Sequence, residues 1–217
     1  MNSREYHLGE LAIARSERDS RRIMPPIPNG IGSILDLGCG AGQTLLSSNL
    51  GKEVTAFGLD VDEEALQLGR ELTNDIHFIK GSGERLPFRD KSFDLVISRV
   101  TIPYTEIPVA LEEVFRVLRP NGQAWLTLHG LPLLRQWTFQ ALRRGSPRGI
   151  AYHVYIGLNS LLFHLTGRVF RYPLNRARCE SVQTGRGVVK AMRKAGFGQI
   201  EIENREFFVA RGIKPLV

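Results

Sequence analysis

Apolar runs of strand length alternate with stretches of helical period along most of the chain. Ser33–Leu37 and residues 54–59, 76–80, 92–98 and 123–128 are runs of five to seven residues rich in Leu, Ile, Val and Phe. That length and composition suit buried strands. Residues 44–50, 63–72 and 109–118 carry apolar side chains at helical spacing instead. Ala65, Leu66, Leu68 and Leu72 share one side of the second; Leu111, Val114, Phe115 and Leu118 share one side of the third. Gly51 stops the first of these helices, and Arg119-Pro120-Asn121-Gly122 stops the third before the fifth strand. Strands alternating with helices predict a doubly wound, parallel sheet covered on both faces.

The two ends read differently. Residues 10–22 hold Leu11, Ile13 and Ala14 among many charges and predict a lead-in helix reaching Ile23, where Met24-Pro25-Pro26 must break it. Near the other end, residues 184–195 predict a helix. Residues 199–203 and 206–210 then form a hairpin around Asn204-Arg205. Between strand five and that helix the pattern changes. Residues 131–144 predict a helix carrying Leu133, Leu134, Trp137, Phe139 and Leu142. Residues 150–166 predict another that is apolar nearly all round, hence buried or covering something greasy. Residues 168–178 then alternate basic and aromatic side chains.

Composition narrows the class. With 217 residues, 42% hydrophobic and 24% charged, the chain fits one soluble domain with an insertion. Two cysteines, Cys39 and Cys179, supply neither a disulfide framework nor metal-ligand spacing, so a reducing cytoplasm and no metal site are expected. The N-terminus lacks the apolar run of a signal peptide. No segment approaches the ~20 apolar residues of a membrane span. The net charge of +7 suits nucleic acid, anionic lipid, an acidic small molecule or mere solubility.

The chemistry concentrates in Leu35-Asp36-Leu37-Gly38-Cys39-Gly40-Ala41-Gly42-Gln43. Glycines at alternate positions behind a strand let a backbone approach a ligand closely, and the following helix start offers unpaired N–H groups. The dinucleotide pattern Gly-x-Gly-x-x-Gly is not met, because Gln43 stands in the third glycine's place. Twenty residues after Gly40, Asp60 ends the second strand, where a carboxylate can accept both hydroxyls of a ribose. Asp62 follows as a helix cap. At the carboxyl end of strand four, Ser98, Arg99, Val100 and Thr101 fall beside the same loop. Asp94, early on that strand, is assigned a structural role.

The glycine segment resembles motif I of the class I S-adenosylmethionine-dependent methyltransferases. Gly81-Ser82-Gly83-Glu84-Arg85-Leu86-Pro87-Phe88 is similar to that family's adenine-flanking segment, with Ser82 and Gly83 replacing its usual Asp and Ala. Phe93-Asp94-Leu95-Val96 and Val117-Leu118-Arg119-Pro120-Asn121-Gly122 resemble two further family patterns, in the family's order. The resemblance implies a Rossmann-like α/β sheet of seven strands, mostly parallel with the last antiparallel. It implies S-adenosylmethionine as cofactor, held by Asp36, Gly38, Cys39, Gly40, Gln43, Asp60, Val61, Ser82, Gly83, Glu84 and Arg99. Asp36 would support the loop and the cofactor's amino group, Arg99 the methionine carboxylate or an acidic substrate, and Glu84 the loop, from Arg85 or a helix end. A family N-terminal helix often lies over the cofactor, which brings Tyr6 and His7 within reach.

Four segments result: a lead-in helix (1–30), a cofactor-binding core (31–130), a helical lid (131–185) and a closing helix with two strands (186–217). The expected reaction is methyl transfer to a small, partly apolar acceptor under the lid, with His129 and Tyr104 as candidate proton acceptors. The insertion has three competing uses: a cap over that acceptor, a homodimer surface, or docking on anionic membrane or RNA. A non-catalytic adaptor of the same fold and a nicotinamide-dependent oxidoreductase are the rival functions.

Overall fold

The computed structural model describes residues 2–133, 136, 143, 147–204 and 207–216. Within them, seven strands form one sheet: β1 (Ser33–Leu37), β2 (Thr55–Asp60), β3 (Ile76–Lys80), β4 (Phe93–Arg99), β5 (Leu118–Leu128), β6 (Gly198–Asn204) and β7 (Phe208–Ile213). Their order is β3-β2-β1-β4-β5-β7-β6. The pairs among β1 to β5 are parallel, and β7 runs antiparallel between β5 and β6. The helices are α1 (Ser3–Arg15), α2 (Gln43–Leu46), α3 (Glu63–Leu72), α4 (Ile107–Val117), α5 (Pro147–Thr166) and α6 (Gly185–Ala195), with a 3-10 turn at Ile102–Tyr104.

The two-residue period of β1 sends its side chains to opposite faces. Ile34 joins Leu45, Ala56, Leu66, Ile97 and Trp125 on one face. Leu35 and Leu37 join Val96, Leu111, Val114 and Met192 on the other. With both faces covered, the central strands are almost wholly apolar, as parallel strands must be. The register aligns Asp36 with Gly58 and Ile97, so the carboxyl ends of β1, β2 and β4 meet at one edge. Opposite that edge, Asp94 accepts from the amides of Gly32 and Ser33 at 2.9 Å and pairs with Arg119 at 2.8 Å. This is the structural role expected of it.

Several boundaries move. The lead-in helix spans Ser3–Arg15, not 10–23. Asn2 accepts from the Glu5 amide at 2.8 Å, and the Glu5 side chain returns the bond, which starts the helix about two turns earlier. Beyond it, Arg22 turns back and donates to the carbonyl of Ala14 at 2.9 Å. Helix α2 is a single turn rather than residues 44–50. Residues 119–122 are no free turn: β5 starts at Leu118, and the Asn121 amide, at φ 63°, donates to Lys214. The helix expected over 131–144 lies largely outside the described residues, as do Arg205 and Glu206 of the hairpin turn.

Candidate cofactor and acceptor site

The edge where β1, β2 and β4 end opens into a cavity of about 810 Å³. Gly38 and Gly40 bend the loop there at φ 75° and 55°, a region L side chains rarely adopt. A Cβ on Gly40 would lie 2.6 Å from the His7 ring and 2.8 Å from Gln43 Oε1. A Cβ on Gly38 would lie 1.7 Å from Thr101 Oγ1. The loop amides are held by β2. Gly38 and Cys39 donate to the Leu59 carbonyl, and Gly40 donates to Asp60 Oδ2 at 2.8 Å. Asp60 Oδ1 accepts from the Asp62 amide at 3.0 Å. Cys39 is buried, with its sulfur over the Gly40 carbonyl.

Asp36 does not brace the loop as the resemblance implies; Asp60 does. The Asp36 carboxyl is 1% exposed, and neither oxygen meets a hydrogen-bond donor among the described residues. Burial pushes its pKa up to about 7, against the pull of the Arg99 guanidinium. Arg99 itself reaches Thr44 Oγ1 and Glu10 at 3.5 Å, and its buried Nε has no partner among the described residues. A buried carboxyl and a half-buried guanidinium with an enclosed Nε, each with unused bonding capacity among the described residues, flank the glycine cradle. That donor and acceptor set fits a zwitterionic amino-acid group.

Of the residues expected at the site, Gly38, Cys39, Gly40, Gln43, Asp60, Val61, Ser82, Gly83, Glu84, Arg99 and Tyr104 line the cavity. Asp36 lies just behind the wall, and His129 lies outside it. Ser82 is exposed and its hydroxyl accepts from the Glu84 amide at 3.3 Å. Glu84 is occupied by structure. One oxygen accepts from the Glu106 amide at 2.7 Å, at the start of α4, and the other pairs with Arg171. Of the two braces expected for Glu84, the helix end is the one found and Arg85 is not.

Tyr104 is 52% exposed, and burial of its hydroxyl raises the pKa to about 12. Its ring stands edge-on to His129, 5.2 Å between centroids. His129 is buried, its pKa lowered to about 4 by that burial, and its backbone exchanges two hydrogen bonds with Gln183. The α1 helix brings Tyr6, His7 and Glu10 to the cavity, and His7 Nδ1 lies 2.8 Å from Gln43 Nε2. Arg171 and Ala177 arrive from the insertion. Neither had a sequence signal beyond the basic-aromatic alternation, which says nothing of what an arginine reaches. Among the described residues no group of three His, Cys, Asp or Glu is placed to hold a metal ion.

The sheet order, the glycine cradle and the acid at the tip of β2 define a Rossmann-like fold of the methyltransferase type. Residues 35–126 match a family model described as a methyltransferase domain. The chain is 30% identical over 187 residues to a demethylmenaquinone methyltransferase of Lactococcus lactis, covering 79% of this chain and 68% of that one. It is 34% identical over 99 residues to a human protein named arginine-hydroxylase NDUFAF5, mitochondrial, covering 44% of this chain and only 28% of that one. A solved SAM-dependent methyltransferase from Thermotoga maritima shares the fold, with a TM-score of 0.55 at 20% identity over 98% of this chain and 90% of that one. The chain belongs to the class I S-adenosylmethionine-dependent methyltransferase family, and S-adenosylmethionine is its cofactor.

Proposed function

We propose that this methyltransferase acts on a small, partly apolar acceptor that sits between the cavity rim and the insertion at 131–185. One observation carries the reading: Arg171 and Ala177 of the insertion line the same cavity as the glycine loop. Bound there, S-adenosylmethionine supplies a methyl group on a sulfonium, which leaves as a neutral thioether. Arg99 serves the carboxylate of its amino-acid part, Asp36 the ammonium, and Asp60 the ribose hydroxyls. Ser82 offers a hydroxyl, and Gly83 its backbone, to the adenine edge. Glu84 holds the loop through Glu106 and Arg171 and acts as a positioning residue.

On the acceptor side, Tyr104 presents a hydroxyl that stays protonated near neutral pH and so donates a hydrogen bond. His129 packs behind it and orients the ring. Displacement in line needs the reactants held at ~3–3.5 Å, and such positioning supplies much of the acceleration without an early base. The Lactococcus relative's name supports an acceptor with a ring and an apolar tail.

The test incubates the full chain with methyl-labelled S-adenosylmethionine and a short-chain demethylmenaquinol, reading product mass. Gain of one methyl supports the proposal. Gain of oxygen, the reaction in the human relative's name, overturns it, as does absence of product from any apolar ring acceptor. Calorimetry with S-adenosylhomocysteine and NAD addresses the rivals. Binding of the first alone removes the oxidoreductase, and binding of neither favours the adaptor.

A further inference from the structure

We propose that the outer face of α5 docks on an anionic lipid membrane. Helix α5 is apolar on two faces. Its inner face is buried through Tyr155, Ile156 and Phe163, with Asn159 and Ser160 hydrogen-bonded inside the insertion. Its outer face carries Ile150, Val154, Leu158, Leu161 and Leu165, spaced four, four, three and four residues apart. These are 37% to 57% exposed. That spacing sets five large side chains in one stripe along the helix. Isolated apolar residues are normal on a surface, but a continuous stripe marks a contact.

Charge identifies the contact. Between Gly130 and Cys179 the chain holds eight arginines and no Asp or Glu, which leaves the rest of the chain at −1 against the total of +7. Arg148, in the first turn of α5, and Arg168, two residues past its end, are both exposed and bracket the stripe. An apolar face between cations is the pattern of a helix lying in the headgroup plane, its apolar side in the acyl boundary and its arginines on anionic lipid. No helix among the described residues is long and apolar enough to cross a membrane, so α5 lies on the surface. A second copy is a poorer occupant, because a two-fold contact would set this acid-free segment against itself. RNA would use the arginines and leave the leucines in water. The stripe residues lie outside the cavity, so the inference does not rest on the acceptor proposed above.

The experiment is co-sedimentation of the full chain with vesicles of phosphatidylcholine alone or mixed with phosphatidylglycerol, at low and high salt. The expected result is binding to the mixed vesicles only, weakened by salt. Leu158→Asp with Leu161→Asp, and separately Arg148→Glu with Arg168→Glu, should each reduce it by more than about tenfold. Both variants should keep the parent's affinity for S-adenosylhomocysteine, which shows that the fold is intact. Three outcomes overturn the proposal: no vesicle binding by the parent chain, vesicle binding that survives the two leucine changes, and a dimer in light scattering that those changes dissociate. RNA binding unaffected by them, without vesicle binding, also overturns it.

Discussion

Asp36 and Asp60 are both acids at strand ends, yet the fold gives them opposite circumstances. Asp60 spends its oxygens on two amides, whereas Asp36 is buried with no hydrogen-bond donor among the described residues. A carboxyl raised from 3.8 to about 7 binds a proton in the native state that the unfolded chain releases. Its contribution to stability is therefore complete below about pH 4 and is lost as the pH rises to about 7. The loss is on the order of a few kcal/mol. Asp36→Asn removes that penalty. In thermal melts without cofactor it should match the parent at pH 4 and exceed it at pH 8, while its affinity for S-adenosylhomocysteine falls at least tenfold. A variant that melts lower at pH 8 would mean that Asp36 is satisfied after all. Val100 adds local strain, with a β-branched side chain at φ 58° held by bonds from its amide to Thr127. Val100→Gly should raise stability by up to about 1 kcal/mol in denaturant unfolding. Motif I, Asp60 and the cap at Asp62 were legible as residues because spacing alone carries them. The isolation of Asp36 was not, since no local pattern records which donors other elements bring.

At the next scale, the β2–α3 corner separates two jobs between neighbours. Asp62 caps α3 through the amides of Glu64 and Ala65 and accepts from Ser3 of α1. Asp62→Ala should cost about 1–2 kcal/mol in denaturant unfolding and leave cofactor affinity within about threefold. Asp60→Ala should do the reverse, abolishing measurable cofactor binding at a small cost in stability. Helix α1 is tied down by Ser3 to Asp62, Arg4 to Glu71 and Glu10 to Arg99. His7→Ala should speed release of S-adenosylhomocysteine several-fold in stopped flow, because the His7 ring lies against the glycine loop; an unchanged rate would make α1 a spectator. The arginine-rich run to 22 suggested a later helix. The Asn2-x-x-Glu5 capping pair marked the true start, and it was present in the sequence.

Across the whole molecule, Arg171 ties the insertion to the rim of the cavity. It pairs with Glu84 of the loop after β3 and with Glu106 at the start of α4. Arg171→Ala should open residues 167–178 to limited proteolysis and raise the acceptor KM more than it lowers kcat. Arg171→Lys, a point charge without the planar fork, should restore only part of both. The sheet was legible from the sequence because strand length, helical period and glycine stops are local and repeat in order. The glycine loop and the acid at a strand tip are short-range chemistry and pointed to a nucleoside cofactor; which one came from the resemblance of motif I and residues 81–88 to the family. The insertion was legible only as apolar and basic. Its division into an inner face on the core and an outer stripe in solvent depends on which elements α5 meets. The choice of Glu84 and Glu106 as partners for Arg171 depends likewise on contacts between residues far apart in the chain. Local period cannot encode such contacts; packing decides them.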